Sequence, residues 1–333
     1  MKESNLDFNK FTNKYISEKN FQEEMKTKVE PYLDSLRKYG YLIGSNDLKL
    51  YYETFIKENS KASIVICHGF GEFTERYNEL TYYFLRENYS VFIMEHRGCS
   101  RSSRLGSDKS QVNVEKFDYY VEDFNKFVEE VVNPNSRDKK LLLFAHSMGG
   151  GIGTAYLEKY PAHFEAAVLS APMHEINTGK YPTIIADIAS RLMKIINKGD
   201  AYLPGQKAYS GDYKFPGRAT TCKARYDYSY NKMIQDEKYQ TGGTSANWYV
   251  ESSKATKNII KEKNASKVEI PVMLLQPEND TYVIPEAQNT FAKYAKNCEI
   301  VRIRGSRHES FNEKDEIAFP VFEKILDFYN RII

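Results

Sequence analysis

The sequence has few cysteines, a single tryptophan and no excess of charge of either sign. Its four cysteines, Cys67, Cys99, Cys222 and Cys298, show no C-x-x-C spacing, so we predict reduced thiols rather than disulfides. A formal net charge of +2 on 333 residues does not favour nucleic acid as a partner. The histidines lack the ligand spacing of a zinc site, and we expect neither a metal nor a cofactor.

Long apolar segments are also missing. No run of 18 apolar residues occurs, so no membrane span is predicted. The first 14 residues, MKESNLDFNKFTNK, lack the apolar centre of a signal peptide, and we therefore expect a cytoplasmic protein. Peripheral association with the inner membrane surface stays open. Hydrophobic residues make up 41% and charged residues 28% of the chain, which is ordinary for a globular protein.

Strand-like and helix-like segments alternate over most of the chain. Predicted strands cover 62–67, 90–94, 141–145, 166–170, 272–276 and 299–303, and predicted helices cover 76–88, 114–131, 152–160, 285–296 and 314–332. Two more strands are expected within 41–56, joined by a turn at residues 45–47. This alternation predicts an α/β fold, with a mostly parallel, doubly wound sheet and helices on both faces.

Two segments interrupt the alternation. Residues 1–38 are polar, contain no glycine and are predicted to form an N-terminal helical extension packed on the outside. Residues 174–245 are rich in Tyr, Lys, Gly and Pro, and we predict a cap inserted over the carboxyl edge of the sheet, where ligands bind in such folds. The predicted core then consists of residues 39–173 and 246–333.

Ser147 is the candidate nucleophile. The apolar strand 141–145 leads directly into Ser147, and a helix-compatible stretch follows, which is the strand–turn–helix setting of a nucleophile elbow. The small residues Ala145 and Gly149 flank the serine at two positions' distance, as the tight turn requires. The alternative is an ordinary serine in a βα turn.

A serine hydroxyl needs a base to take its proton and an acid to orient that base. Both are expected in loops after later strands, in the order Ser, Asp, His. His308, after the strand 299–303, is the predicted base, and His174 is its only serious competitor. Asp280 and Glu278 both follow the strand 272–276, and either is a candidate acid. Structural roles are expected for His68 and His96, and His146 is expected to pack under the turn. His163 is expected to be an exposed residue at the end of a helix.

An oxyanion would need two preorganised N–H donors. One is expected to be the backbone N–H of Met148, directly after the nucleophile. The other is expected to be the N–H of Phe70, within the loop His68-Gly69-Phe70-Gly71-Glu72, whose two glycines allow the backbone to turn sharply. The alternative is a plain βα turn.

The segment 182–197 predicts an amphipathic helix within the cap. Its apolar side carries Ile184, Ile185, Ile188, Leu192, Ile195 and Ile196. We expect this side to pack on the main domain; the alternative is that it lines an acyl-chain groove or rests on a lipid surface. Four cap cations are candidates for a phosphate head group or, more simply, for a solvated surface: Lys207, Arg218, Lys223 and Arg225.

Six motifs together resemble the monoacylglycerol lipase and lysophospholipase branch of the α/β-hydrolases. They are HGFGEFTERY, EHRGCSRSSR, AHSMGG, LSAPM, LLQPENDTYV and GSRHE. The alanine of AHSMGG and the segment YQTGGTSANWYVESSKA are more similar to bacterial lysophospholipase L2. The resemblance covers roughly residues 40–330 and implies an α/β-hydrolase fold with a cap between strands six and seven.

By position, the resemblance implies nucleophile Ser147, acid Asp280, base His308 and oxyanion N–H groups on Phe70 and Met148. Two motifs depart from the family pattern. Residues 95–100 are Glu-His-Arg-Gly-Cys-Ser where the family often has Asp-His-Arg-Gly-x-Gly, and Phe73 replaces a frequent His. We expect both near the mouth of the site, where they bear on the choice of substrate.

These observations predict a serine carboxylic-ester hydrolase that acts through an acyl-enzyme. The expected substrate is a lysophospholipid or a monoacylglycerol, and surface contact with a membrane through the cap is an additional possibility. One alternative is a short-chain or aryl carboxylesterase with the same three residues. Others are a serine peptidase or a binding module that has lost catalysis, whereas dehalogenase chemistry is disfavoured because the nucleophile is not Asp.

Overall fold

The computed structural model describes residues 11, 14–136, 139–217 and 219–333. Within them the chain forms an eight-stranded sheet in the order β1-β2-β4-β3-β5-β6-β7-β8. The strands are β1 (Arg37–Ile43), β2 (Lys49–Phe55), β3 (Ala62–Cys67), β4 (Tyr89–Met94), β5 (Leu141–His146), β6 (Ala166–Ser170), β7 (Val272–Pro277) and β8 (Cys298–Ile303). Strands β3 to β8 are parallel, while β1 and β2 pair antiparallel at one edge. The mostly parallel sheet predicted from the alternation is confirmed.

Helices cover both faces of this sheet. They are α1 (Phe21–Glu24), α2 (Glu30–Leu36), α3 (Asn78–Arg86), α4 (Asp118–Phe127), α5 (Asn133–Ser136), α6 (Met148–Lys159), α7 (Thr183–Ile195), α8 (Lys223–Gln235), α9 (Ala246–Ile259), α10 (Glu262–Ala265), α11 (Pro285–Tyr294) and α12 (Asp315–Asn330). Two π-helical turns, Met25–Val29 and Val128–Val132, continue α1 and α4. Among the described residues, no helix combines the length and apolarity that crossing a membrane requires.

Two apolar cores lie on opposite faces of the sheet. Alternate residues of β5 divide between them: Leu142 and Phe144 belong to one core, Leu141, Leu143 and Ala145 to the other. All six residues of β5 are buried, as expected for a strand that has helices on both sides. The carboxyl end of β5 is therefore packed on both sides, directly before Ser147.

Two predicted helix boundaries were wrong. The helix predicted from residue 114 begins at Asp118. Val114 and Phe117 precede the helix, although both side chains are buried as the helical period would require. The helix predicted from residue 152 begins at Met148, directly after Ser147. The glycines at 149–151 belong to this helix, and at Gly149 a side chain would meet the backbone of Cys67 and His68.

The N-terminal segment packs on α3 and α12. Residues 1–10, 12 and 13 of the predicted extension lie outside the described residues. Of the others, Tyr15 and Met25 are buried in the same core as Phe319 and Phe322 of α12. The Tyr15 hydroxyl also donates to Glu323, at 2.5 Å. The segment thus adds apolar surface to one core, and β1 follows it from Arg37.

Between β6 and α9 the chain leaves the sheet and forms α7, α8 and long irregular stretches. Residues of this segment and of the loops after β3, β5 and β8 line one common cavity. The segment therefore lies over the carboxyl edge of the sheet, where the predicted site residues are found.

Candidate active site

Ser147 lies in the turn between β5 and α6. Its backbone has φ 53° and ψ −118°, a conformation that non-glycine residues rarely adopt. The turn is over-determined: the Ser147 N–H donates to the carbonyl of Ser170, and the Ser147 carbonyl accepts from Met173 and Gly151. Strain held in this way by the surroundings is typical of functional positions.

Gly149 makes this turn possible. A Cβ at this position would lie 2.1 Å from the carbonyl oxygen of Cys67 and 2.4 Å from that of His68. Any side chain would push the start of α6 away from the end of β3. The small residue expected after the nucleophile is therefore required by close backbone approach.

His308 connects the serine to Asp280. Its Nε2 lies 2.8 Å from the Ser147 Oγ, and its Nδ1 lies 2.6 Å from the Asp280 Oδ2. The three side chains come from the loops after β5, β7 and β8, which end at the same edge of the sheet. The structure thus brings the predicted nucleophile, base and acid into one hydrogen-bonded chain. Their catalytic role stays a prediction.

Asp280 is held as a carboxylate. Burial raises its pKa, but the hydrogen bond and charge of His308 and the backbone N–H groups of Tyr282 and Val283 lower it more, so the pKa lies below the ordinary 3.8. Those two N–H groups donate to Oδ1, which leaves Oδ2 for the imidazole. An ionised acid in this position fixes the ring and stabilises its cation.

The two rival residues lie elsewhere. Glu278 accepts a hydrogen bond from the N–H of Gly305 at 2.8 Å. His174 is fully buried beside Phe291, and its Nε2 lies 2.9 Å from the Thr154 hydroxyl. Neither residue contacts Ser147. The tertiary structure therefore distinguishes Asp280 from Glu278 and His308 from His174.

The loop after β3 presents the second predicted donor. Phe70 lines the same cavity as Ser147, and none of the described residues accepts a hydrogen bond from its N–H. Met148 occupies the first turn of α6, where backbone N–H groups have no partner within the helix. Gly71 has φ +64° and turns the chain back towards the buried Glu72. Phe70 therefore lies at the same cavity as Ser147, and Met148 follows the serine directly. Their role as oxyanion donors stays a prediction.

A cavity of about 950 Å³ opens above Ser147. Its wall is mostly apolar and comes from the segment after β6 and from α9, including Ile176, Ile185, Ala186, Leu203, Met233 and Trp248. The size lies within the range of pockets that hold small organic ligands. A carbonyl carbon at the serine would thus leave room for a long apolar substituent.

One polar cluster at the cavity was not anticipated. Arg76 lies 2.6 Å from Glu309 and 3.4 Å from Glu72, and His146 lies 3.9 Å from Glu72. The ligand atoms of Glu72, His146 and Glu309 lie within 4.8 Å of one another, close enough for a metal ion. The guanidinium already balances the two carboxylates, so we interpret the cluster as an ion-pair network. Among these residues the sequence signals only the proximity of His146 and Glu309 to the triad.

Two expectations about the site were wrong. Glu95 and Phe73 do not lie at the cavity mouth: Phe73 is buried and stacks on Tyr239 with ring centroids 4.3 Å apart. Glu95 is fully buried, and its carboxylate accepts hydrogen bonds from Arg101. Burial raises the pKa of Glu95 to about 7 despite this arginine. Glu95 and Phe73 therefore contribute to the packing of the protein interior and not to the wall of the cavity.

The cap cations have different positions. Lys207 and Lys223 are exposed, and Lys223 pairs with Asp227. Arg218 lies outside the described residues. Arg225 is buried and pairs with Glu79 and Asp315, at 2.8 and 2.9 Å. The prediction of a solvated or phosphate-binding Arg225 is wrong, because its donors already join α8 to α3 and α12.

Helix α7 is also unlike its prediction. Its apolar side chains do not pack on the main domain. Ile184, Ile188, Leu192 and Ile195 each expose more than half of their surface, up to 75% for Ile195. The opposite side faces α9, where Asp187 accepts from Ser253 and pairs with Lys257. At the inner edge of the helix, Ile185 and Ala186 line the cavity.

Comparison with known proteins gives consistent relatives. A family model described as "Serine aminopeptidase, S33" matches residues 58–315. The probable lysophospholipase L2 of Haemophilus influenzae is 30% identical over 87% of this chain and 91% of its own length. The monoacylglycerol lipase of Mycolicibacterium smegmatis is 25% identical over 85% and 94%. A solved monoglyceride lipase from Saccharomyces cerevisiae superposes with a TM-score of 0.70 at 19% identity, covering 89% of this chain and 97% of that one.

Proposed function

Because the chain belongs to the family described as "Serine aminopeptidase, S33" and has the α/β-hydrolase fold, we propose that it is a serine hydrolase of carboxylic esters that acts on lysophospholipids or monoacylglycerols. One observation carries the proposal: the hydrogen-bonded chain from Ser147 through His308 to Asp280 opens into a large, mostly apolar cavity. The curated relatives that are named lysophospholipase and monoacylglycerol lipase support the choice of substrate.

The proposed reaction uses the contacts between Ser147, His308 and Asp280. The Ser147 Oγ attacks the ester carbonyl while His308 Nε2, 2.8 Å away, takes the hydroxyl proton. The oxyanion is stabilised by the N–H groups of Phe70 and Met148. His308 returns the proton to the departing alcohol, which leaves an acyl-enzyme on Ser147. Water, deprotonated by His308, then attacks this ester, and the fatty acid leaves as the serine regains its proton.

A hydrolysis panel tests this function. Purified protein is given p-nitrophenyl esters from C2 to C16, monoacylglycerol, lysophosphatidylcholine and an amino-acid amide. We expect the highest kcat/KM on a single-chain lipid and a loss of at least about 10³-fold in Ser147→Ala. Activity limited to short esters contradicts the lipid substrate, and turnover of the amide alone favours the peptidase that the family description names.

The acid assignment has a matched control two residues away. Asp280→Asn should reduce kcat by about 10³-fold or more, because the imidazole loses its fixed orientation and its counter-charge. Glu278→Gln removes the same charge, but among the described residues the only hydrogen bond of this carboxylate is the one from the Gly305 N–H, and we expect less than a twofold change. Equal losses in the two variants contradict the assignment of Asp280.

We further infer that α7 rests on a lipid surface. Its exposed apolar side chains continue to the cavity through Ile185, so a lipid leaving a bilayer would reach the serine without crossing water. Exposed Lys180, Arg191 and Lys198 flank this side and can meet anionic head groups.

Vesicle sedimentation tests the lipid contact. In the triple variant Ile184→Gln, Ile188→Gln, Ile195→Gln, binding to vesicles of phosphatidylcholine and phosphatidylglycerol should fall at least about tenfold, since each lost side chain removes buried apolar area. In the control variant, Gln replaces three similarly exposed residues of the edge strand β1: Tyr39, Tyr41 and Ile43. Equal binding by both variants argues against α7 as the contact.

A further inference from the structure

His68 lies between the end of β3 and the loop that carries Phe70. It is fully buried, and its Nε2 lies 2.9 Å from the backbone nitrogen of His96. A backbone N–H can only donate, so Nε2 is the acceptor and carries no proton. The proton of the neutral ring is therefore on Nδ1, which lies 2.7 Å from the carbonyl oxygen of Gly69 and donates to it. Burial lowers the pKa of His68 to about 4, so the ring stays neutral near pH 7.

This hydrogen bond acts on one particular peptide group. The carbonyl of Gly69 and the N–H of Phe70 belong to the same planar, trans peptide bond, in which they point in opposite directions. Holding the carbonyl oxygen against His68 therefore holds the Phe70 N–H away from it, towards the cavity. A donor at the oxygen also polarises the peptide and strengthens its N–H as a hydrogen-bond donor.

A second contact holds the other side of the same loop. The Gly69 N–H donates to the Glu72 carboxylate at 2.6 Å. Glu72 is itself held by the Tyr77 hydroxyl at 2.5 Å and by the Arg76 guanidinium at 3.4 Å. A Cβ on Gly69 would lie 2.9 Å from this carboxylate, so the backbone approaches closely. The peptide before Gly69 is held through its N–H by Glu72, and the peptide after Gly69 is held through its carbonyl by His68, so neither of the two peptides rotates freely.

We propose that His68 is a positioning residue for the oxyanion hole: its Nδ1–H holds the Gly69–Phe70 peptide so that the Phe70 N–H faces the cavity before substrate binds. The inference rests on the proposed function and extends it. Preorganised donors contribute to the transition state because they need no reorientation during the reaction. The sequence predicted a structural role for this histidine at the start of the oxyanion loop, with no hydrogen-bond partner named.

Two variants separate the two hydrogen bonds of His68. In His68→Asn, the side-chain NH2 group occupies the place of Nδ1 and can still donate to Gly69, while the contact with His96 is lost. In His68→Gln, the longer side chain reaches the place of Nε2 and accepts from His96, while the donation to Gly69 is lost. Each variant removes one buried hydrogen bond, so similar losses of thermal stability are expected.

The activities should differ. We expect His68→Gln to lower kcat on the best ester at least about tenfold with KM within twofold, because a misplaced oxyanion donor acts on the transition state. His68→Asn should keep kcat within about threefold of the wild type. Equal losses in the two variants, or full activity in His68→Gln, overturn the proposal.

A second readout does not depend on the natural substrate. The rate at which a fluorophosphonate labels Ser147 depends on the serine and on the oxyanion donors, and it should show the same order of wild type, Asn and Gln variants. The 15N chemical shifts of His68 should show the proton on Nδ1 in the wild type. A proton on Nε2 overturns the proposal, whatever the ester panel gives. If no ester is hydrolysed but the labelling rates still decrease from wild type through His68→Asn to His68→Gln, the result contradicts the substrate assignment and leaves the role of His68 standing.

Discussion

Helices α6 and α7 have nearly equal length and similar mean hydropathy, but they have opposite relations to the rest of the molecule. Helix α6 follows Ser147 and is buried almost all round, with glycines where other backbone approaches. Helix α7 in the cap turns its polar side to α9 and its apolar side outward. One helix is part of the frame that holds the nucleophile, whereas the other presents a surface to whatever lies outside.

The difference between α6 and α7 shows that amphipathic periodicity predicts a helix but does not predict which surface its apolar side faces. Periodic apolar residues in 182–197 predicted a helix with one apolar side, and the helix is there. The usual inference that the apolar side faces the core failed, because Asp187, Ser253 and Lys257 form the contact with α9. Burial of an apolar side needs a partner, and the partner is set by neighbours in space or by a lipid surface.

The largest effect is expected at the first turn of α6. In Gly149→Ala the new Cβ would meet the carbonyl oxygens of Cys67 and His68, so the helix or the oxyanion loop must shift. We expect activity to fall about 100-fold or more, since displacements near 1 Å are enough for this. The free energy of unfolding should fall by about 3 kcal/mol. Near-normal kcat and stability in this variant would show that the turn tolerates a side chain.

The same substitution in both helices measures their difference directly. Ile152→Ala in α6 removes a fully buried side chain, and urea unfolding should show a loss of about 2–5 kcal/mol. Ile188→Ala in α7 removes one that is 54% exposed, and we expect a change within about 0.5 kcal/mol. A large loss for Ile188→Ala means that a second partner covers α7 in solution.

The buried contact between α6 and His174 should make stability depend on pH. Thr154 donates its hydroxyl to the carbonyl of Gly150, so it accepts from the Nε2–H of a neutral His174. Burial lowers the pKa of His174 from 6.5 to about 3. Between these values the unfolded chain binds a proton that the folded chain does not, so stability is lost as the pH falls from 6.5 towards 3.

His174→Gln keeps a donor for Thr154 and removes the titration. Between pH 6 and 4, the slope of the free energy of unfolding against pH should be lower in this variant by about 1.4 kcal/mol per pH unit, which corresponds to one proton. Urea titrations at several pH values provide the measurement. Parallel slopes in the two proteins contradict a neutral, buried His174.

The smallest effect is expected on the polar side of α7. Lys257→Met removes the partner of Asp187, and Lys257 is about half exposed. Pairs of this kind contribute roughly 0.2–1 kcal/mol, and salt screens them. Thermal unfolding in low and high salt should therefore show a small loss that shrinks with salt. A loss above about 2 kcal/mol would mean that this pair decides how α7 is seated on α9.

The predictable part of the fold depends on local signals. The strand predicted at 166–170 has those bounds in the structure, because buried parallel strands are short, continuous apolar runs between polar turns. The start of α4 was missed because Val114 and Phe117 continue the helical period but are buried from a loop. Periodicity reports burial, and burial does not require a helix.

The site divides in the same way. Ser147, Asp280 and His308 were found from their positions after strands, and the structure brings them into contact. The neighbours of the site were not found: Arg76, Glu309 and Thr220 line the cavity from three separate parts of the chain. Arg76 and Glu309 lie in the motifs HGFGEFTERY and GSRHE, but neither motif shows that the two side chains pair, because ion pairs and cavity walls depend on distances between residues far apart in sequence.

By itself the sequence determined the doubly wound sheet, the strand-to-helix turn at Ser147 and the order of the three site residues. These depend on short-range physics: apolar runs, turns that only small residues permit, and strands whose ends share one edge. Tertiary structure alone decided which ring nitrogen of His68 carries the proton, which residues pair with Arg225 and which side of α7 faces outward. Each of these depends on a partner from another part of the chain, since hydrogen bonds and burial act through space rather than along the sequence.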